Sequence, residues 1–222
     1  MLDTRLQAIL GLIQPCKVLA DVGTDHAYIP LEALKNGICA FAYASDIKPG
    51  PLKHAHDTFT DSGYNDKVKF TVCDGISELP DPIDAVVIAG MGAETILLII
   101  RNDLDRFRKI PQIILQANRD VGLLRKTMIG LGFDIADEAI SFLKHYYVAI
   151  RFLPSQNIPV YSDLELMYGP ILLQKREANL LSYLRIRQDH LKSLAKQITD
   201  VSKRKAFLDE VQAIRDYLDK EI

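Results

Sequence analysis

Apolar and polar positions along this chain of 222 residues follow two rhythms. In the first two thirds, short apolar runs alternate with stretches of helical spacing. The runs at 17–21, 40–46, 68–74, 85–89 and 112–116 read as buried strands, and 29–36, 51–62 and 93–104 between them read as helices, with a further helix over 122–131. That alternation predicts a parallel sheet with right-handed crossovers. Two β-type runs, 134–143 and 146–153, then follow in succession around Lys144-His145 and predict a hairpin closing the sheet. Ahead of the first strand, Leu2, Leu6, Ile9, Leu10 and Ile13 are spaced as on one face of a helix.

The second rhythm begins after Pro154-Ser155-Gln156-Asn157-Ile158-Pro159, which reads as a linker. Beyond Gly169-Pro170, the residues Leu180, Leu184, Leu191, Leu194, Ile198 and Val201 fall on alternating three- and four-residue steps if Arg187 takes one polar seam position. Phe207, Val211, Ile214 and Leu218 repeat the pattern. An antiparallel coiled-coil hairpin with a break near 200–203 follows. The expected division is a domain over 1–158 and a helical domain over 159–222.

Composition adds bounds. With 48% hydrophobic and 25% charged residues the chain is ordinary for a soluble globular protein. No segment approaches the ~20 apolar residues of a membrane span, and the amino terminus carries Asp3 in a run too short for a signal peptide, so a cytoplasmic protein without a membrane partner is expected. Cys16, Cys39 and Cys73 lie far apart, with no C-x-x-C and no histidine at ligand spacing, so they read as reduced thiols and no metal site is expected. The net charge of -2 conceals an asymmetry: 172–205 holds nine Lys and Arg against three Asp and Glu. A basic helical segment on an acidic body suits a polyanionic partner.

The candidate chemistry lies at the strand ends. Asp21, Asp46 and Asp74 close three successive strands, and neighbouring carboxyl ends of an open parallel sheet share one crevice. Any one of them alone would serve as well as a turn or helix-capping residue. Asp46, 25 residues after Asp21, suits ribose hydroxyls; Asp74, followed by Gly75, suits an adenine amine. Neither G-x-G-x-x-G nor a phosphate loop is present, and Asp25 would repel an incoming diphosphate. A positively charged ligand, S-adenosylmethionine rather than NAD or ATP, fits this loop.

The motifs D-V-G-T-D-H-A-Y-I-P (21–30), S-D (45–46), C-D-G (73–75), A-G-M-G (89–92), L-Q-A-N (115–118) and Y-G-P (168–170) resemble, in combination, the bacterial tRNA adenine-N1 methyltransferases that modify adenosine 22. The similarity covers essentially the whole chain. The resemblance implies a class I, Rossmann-like methyltransferase domain followed by a coiled-coil domain that helps to hold tRNA. It also implies that Asp21, Gly23, Asp25 and His26 line the methionine end of S-adenosylmethionine, Asp46 the ribose, and Asp74 and Gly75 the adenine, with Ala89, Gly90, Met91 and Gly92 beneath the transferring methyl. Two positions depart from the family pattern: Ala93 where a glycine is usual, and Ala117 where a proline precedes Asn118.

Asn118 and Tyr146 are the candidate catalytic positions, Asn118 toward the N6 amine of the target adenine and Tyr146 for stacking, where plain strand packing would equally explain a tyrosine. A class I methyltransferase acting on another RNA base or a small molecule, and an RNA-binding protein that keeps the fold without the chemistry, stay open at this stage. So does the oligomeric state, with a monomer as the default.

Overall fold

The computed structural model describes residues 2–220; Met1, the first residue of the amino-terminal helical pattern, and Glu221 and Ile222, the last of the helical domain, lie outside the described range. The chain forms two compact units, Met1–Val160 and Tyr161–Ile222.

The first unit runs α1 (Thr4–Leu12), β1 (Val18–Val22), α2 (Tyr28–Lys35), β2 (Phe41–Asp46), α3 (Pro49–Phe59), β3 (Val68–Val72), β4 (Ala85–Met91), α4 (Ala93–Asn102), α5 (Leu104–Phe107), β5 (Gln112–Ala117), α6 (Val121–Gly130), β6 (Phe133–Phe142) and β7 (Tyr146–Pro154). One seven-stranded sheet has the order β3-β2-β1-β4-β5-β7-β6. β1 to β5 are parallel, and β7 enters antiparallel between β5 and β6. Central strands read as near-continuous apolar runs because helices cover both faces: Ala85, Val86, Val87 and Ile88 of β4 are all fully buried. α1 lays Ile9 and Leu12 into this core, and Asp3 caps its start by accepting from the Leu6 N–H at 2.8 Å.

Most elements start or end within three residues of the sequence reading, as α3 does at Pro49–Phe59 against 51–62, and three differences change the picture. The helix expected over 93–104 ends at Asn102, and a separate turn of helix, α5, follows. The hairpin's second strand extends through Pro154, with Ser155 N–H donating to the Gly132 carbonyl, so the connecting segment starts later than expected. The carboxylate Asp74 stands two residues beyond the end of β3 rather than in it.

The second unit contains α7 (Asp163–Tyr168), α8 (Pro170–Lys175), α9 (Ala178–Gln197) and α10 (Val201–Leu218). Ser162 and Glu165 form a capping box at the start of α7, a helix the sequence reading did not contain. α9 and α10 pack as an antiparallel pair through Leu180, Leu184, Leu191 and Ala195 on one side and Ile214 and Tyr217 on the other. Arg187 takes the polar seam position, its Nε donating to Glu210 Oε1 at 2.8 Å, and Glu210 also accepts from the Tyr168 hydroxyl. The expected apolar seam overruns: Ile198 is the C-cap of α9, and Val201 is 77% exposed. The chain reverses at 198–200, where the Asp200 side chain accepts from Lys203 N–H to open α10, so the break meets the expected 200–203 at Asp200 and begins two residues earlier, and Ala195 fills the last seam position.

Candidate functional site

β1 lies between β2 and β4, so successive connections run to opposite sides of it and a crevice opens over its carboxyl end. The loop leaving β1 is fastened to β2: Gly23 and Thr24 N–H both donate to the Ser45 carbonyl, at 2.8 and 3.1 Å. Gly23 has φ +73°, a conformation glycine adopts freely. The Thr24 hydroxyl accepts from Ala27 N–H at 2.9 Å and so sets the entry to α2. Asp21 is 6% exposed, and burial pushes its carboxyl up to about 6, against the lowering effect of a hydrogen bond from Thr24.

Two cavities meet here. The first, of about 350 Å³, is lined by Asp3, Arg5 and Leu6 of the α1 segment, by Asp21 and Gly23 to Ile29, and by Ala89 and Gly90. The second, of about 260 Å³, is lined by Val22, Gly23, Asp46, Ile47, Cys73, Asp74, Gly75 and Met91, with Thr95, Leu98, Ile99 and Asn102 of α4. Gly23 belongs to both. A Cβ at Gly23 would stand 1.9 Å from the Met91 methyl, so the Met91 thioether lies in the gap where the cavities join.

Asp25 bridges two histidines, with Oδ1 3.1 Å from His54 Nδ1 and Oδ2 3.5 Å from His26 Nε2. The rings of His26 and His54 stack at 5.2 Å and 17°, and His26 stacks in turn on Tyr28. The ligand atoms of Asp25, His26 and His54 lie within 4.8 Å of one another. His54 of α3 thus belongs to the crevice mouth through Asp25.

Asn118 lies outside both cavity linings, and the structure ties it to them. Its Nδ2 donates to the Gly90 carbonyl at 2.6 Å, and its Oδ1 accepts from Gln116 Nε2 at 3.1 Å. Gln116 Oε1 accepts from Gly90 N–H at 3.2 Å and from Arg5 Nη1 at 3.1 Å. This closed set of bonds ties the end of β4 to the end of β5 without the proline that Ala117 replaces. Ala93 is fully buried at the start of α4 with an ordinary negative φ, so its extra methyl is accommodated without strain. Gly92 is the N-cap of α4 beside Arg119, outside both cavities, and Tyr146 packs on Phe142 at 4.9 Å at the hairpin tip. The neighbouring Tyr147 is the hairpin residue that meets the first cavity's wall, under Arg5 at 5.9 Å.

These surfaces fit S-adenosylmethionine. The second cavity's apolar walls suit a purine. Asp46 Oδ1 accepts from Lys48 N–H at 2.8 Å, and among the described residues its other oxygen has no hydrogen-bond partner, leaving it to a ribose diol. The first cavity presents Asp3, Asp21 and Asp25, which suit a sulfonium and an ammonium and repel phosphate.

Sequence comparison agrees with this class: the chain belongs to the methyltransferase domain family, whose model matches residues 2–150. It is 27% identical over 232 residues to the tRNA (adenine(22)-N(1))-methyltransferase of Bacillus subtilis (strain 168), an alignment spanning 98% of this chain and 97% of that one. Among solved structures, M. capricolum TrmK in complex with the cofactor product S-adenosyl-homocysteine superposes with a TM-score of 0.86 at 29% identity, covering 99% of this chain and 98% of that chain. The B. subtilis m1A22 tRNA methyltransferase TrmK superposes with a TM-score of 0.85 at 26% identity, covering 99% of each chain.

Sequence reasoning missed Arg5, Gln116 and Met91's position between the cavities. Gln116 had one available signal, a polar residue inside an otherwise apolar strand; Arg5 had none, because it reaches the crevice only through the packing of α1 on the sheet.

Proposed function

We propose that this chain transfers the methyl group of S-adenosylmethionine to N1 of adenosine 22 in tRNA. The observation that carries this reading is a crevice with carboxylates at three adjacent strand ends, in a chain similar from end to end to the adenosine-22 enzymes. The cofactor, when bound, supplies a methyl already activated on sulfur. Adenine N1 carries an in-plane lone pair and has no proton to lose, so the chain's work is to hold, orient and exclude water.

Asp46, Asp74 and Gly75 would hold the nucleoside end, and Asp21, Asp25, His26 and Gly23 the amino-acid end. Ala89, Gly90, Met91 and Gly92 would shape the floor under the methyl. Asn118, fixed at both ends of its carboxamide, keeps a second lone pair on Oδ1 that can accept from the target adenine's N6 amine. Tyr146 would bound the base from the hairpin.

The helical unit is read as a coiled-coil arm for tRNA in the cytoplasm. Of its basic residues, Arg187 is paired with Glu210, and Arg176 stacks on Tyr217 and donates to that residue's carbonyl, so both serve the fold. Arg185, Lys192, Lys196, Lys203 and Lys205 are exposed and suit phosphates, which give affinity rather than base choice. No helix among the described residues is long and apolar enough to cross a membrane, and all three cysteines are free thiols. The test is methyl incorporation into paired tRNA transcripts with adenosine or guanosine at position 22. Incorporation only into the adenosine form supports the proposal, and equal incorporation into both refutes it.

A further inference from the structure

Arg5 stands on the first turn of α1 and is the one permanently charged cation among the described residues lining the first cavity, which also carries Asp3, Asp21 and Asp25. It is half-buried, yet among the described residues it forms an ion pair with none of these carboxylates. Its guanidinium makes one hydrogen bond among the described residues, Nη1 to Gln116 Oε1 at 3.1 Å, and lies over the Tyr147 ring at 5.9 Å. A guanidinium has five N–H donors, so most of them remain available to a ligand. Gln116 is 1% exposed and holds Gly90 N–H and Asn118 Oδ1 as well, so its carboxamide cannot turn away from Arg5.

An α-amino acid is a zwitterion, and it needs both signs of charge in its cavity. Asp3, Asp21 and Asp25 provide for the ammonium and the sulfonium, and they repel a carboxylate. We infer that Arg5 receives the carboxylate at the amino-acid end of the cofactor, with its planar fork matched to the two oxygens. This inference rests on the cofactor assignment above. It makes α1 part of the cofactor site and makes Gln116 and Tyr147 positioning residues for Arg5.

The test is calorimetric binding of S-adenosylhomocysteine and of 5′-deoxy-5′-methylthioadenosine, which keeps adenine, ribose and sulfur but lacks the amino-acid end. Both are titrated into the wild-type chain, Arg5→Gln and Arg5→Lys. Arg5→Gln should weaken S-adenosylhomocysteine by roughly tenfold or more, the effect of losing a charge-assisted hydrogen bond, and change methylthioadenosine by less than about twofold. Arg5→Lys should recover part of the loss. Equal weakening of both ligands would make Arg5 a support of the crevice and overturn the inference. So would unchanged S-adenosylhomocysteine binding with weakened tRNA binding, which would assign Arg5 to a phosphate. Failure of the wild-type chain to bind either ligand would instead refute the cofactor assignment, and this inference with it.

Discussion

Asp21 gives the most demanding prediction, because one carboxylate governs both stability and cofactor affinity. Burial pushes it up to about 6, against about 3.9 in an unfolded chain. The folded value exceeds the unfolded one, so Asp21's contribution to stability is complete below about pH 4 and is lost as pH rises through 6. The difference amounts to about 3 kcal/mol at neutral pH. A cofactor carrying positive charge at its amino-acid end selects the ionised form, so protons compete with it. A group at about 6 then weakens S-adenosylhomocysteine binding by roughly tenfold at pH 5 and by very little above pH 7. The assay is calorimetry from pH 5 to 8 on the wild-type chain and Asp21→Asn, with thermal melts at both ends. Asp21→Asn should melt higher than wild type at pH 8, bind the ligand more weakly there, and lose the decline toward pH 5. A decline of equal depth in Asp21→Asn would show that Asp21 is not its source and refute the reasoning.

The crevice and the arm carry three further predictions. Gly23→Ala would place a methyl 1.9 Å from the Met91 methyl at φ +73°, costing about 1 kcal/mol in backbone conformation and blocking the join between the cavities. S-adenosylhomocysteine affinity should fall at least tenfold with only a modest drop in Tm, and retained affinity would show that the join is not used. Asn118→Ala should bind S-adenosylhomocysteine within about twofold of wild type and lower methyl transfer at saturating tRNA by roughly tenfold, the scale of one lost charge-independent contact at a reacting base. Parallel loss of both properties would contradict a role in placing the base. Replacing Lys192, Lys196 and Lys203 together with Glu should weaken tRNA binding by about tenfold or more, reduce its salt dependence, and leave S-adenosylhomocysteine binding unchanged. Unaltered tRNA affinity would remove the arm from the substrate site.

Legibility in the sequence followed the range of the interactions. Asp21, Asp46 and Asp74 could be read because a strand's end and its polar residue are local features, and the parallel topology then makes the ends neighbours. Gly23 was legible for the same reason, as a turn glycine after an apolar run. Arg5, Gln116 and Tyr147 were not, because α1, β5 and β7 come together only in the folded sheet. The seam of α9 and α10 was legible through Leu191, where packing follows the repeat, and failed at Ile198 and Val201, where the Asp200 cap and the chain reversal override the repeat. Arg187 was placed correctly in that seam, but its partner Glu210 lies on the other helix and leaves no trace in the local pattern.

The most direct test of the central claim is incubation of the chain with unmodified bacterial tRNA and isotopically labelled S-adenosylmethionine, followed by nucleoside mapping. A chain that methylates N1 of adenosine 22 yields 1-methyladenosine at position 22 and at no other position. Label in another nucleoside or at another position, or no label in the presence of demonstrated S-adenosylmethionine binding, would contradict it.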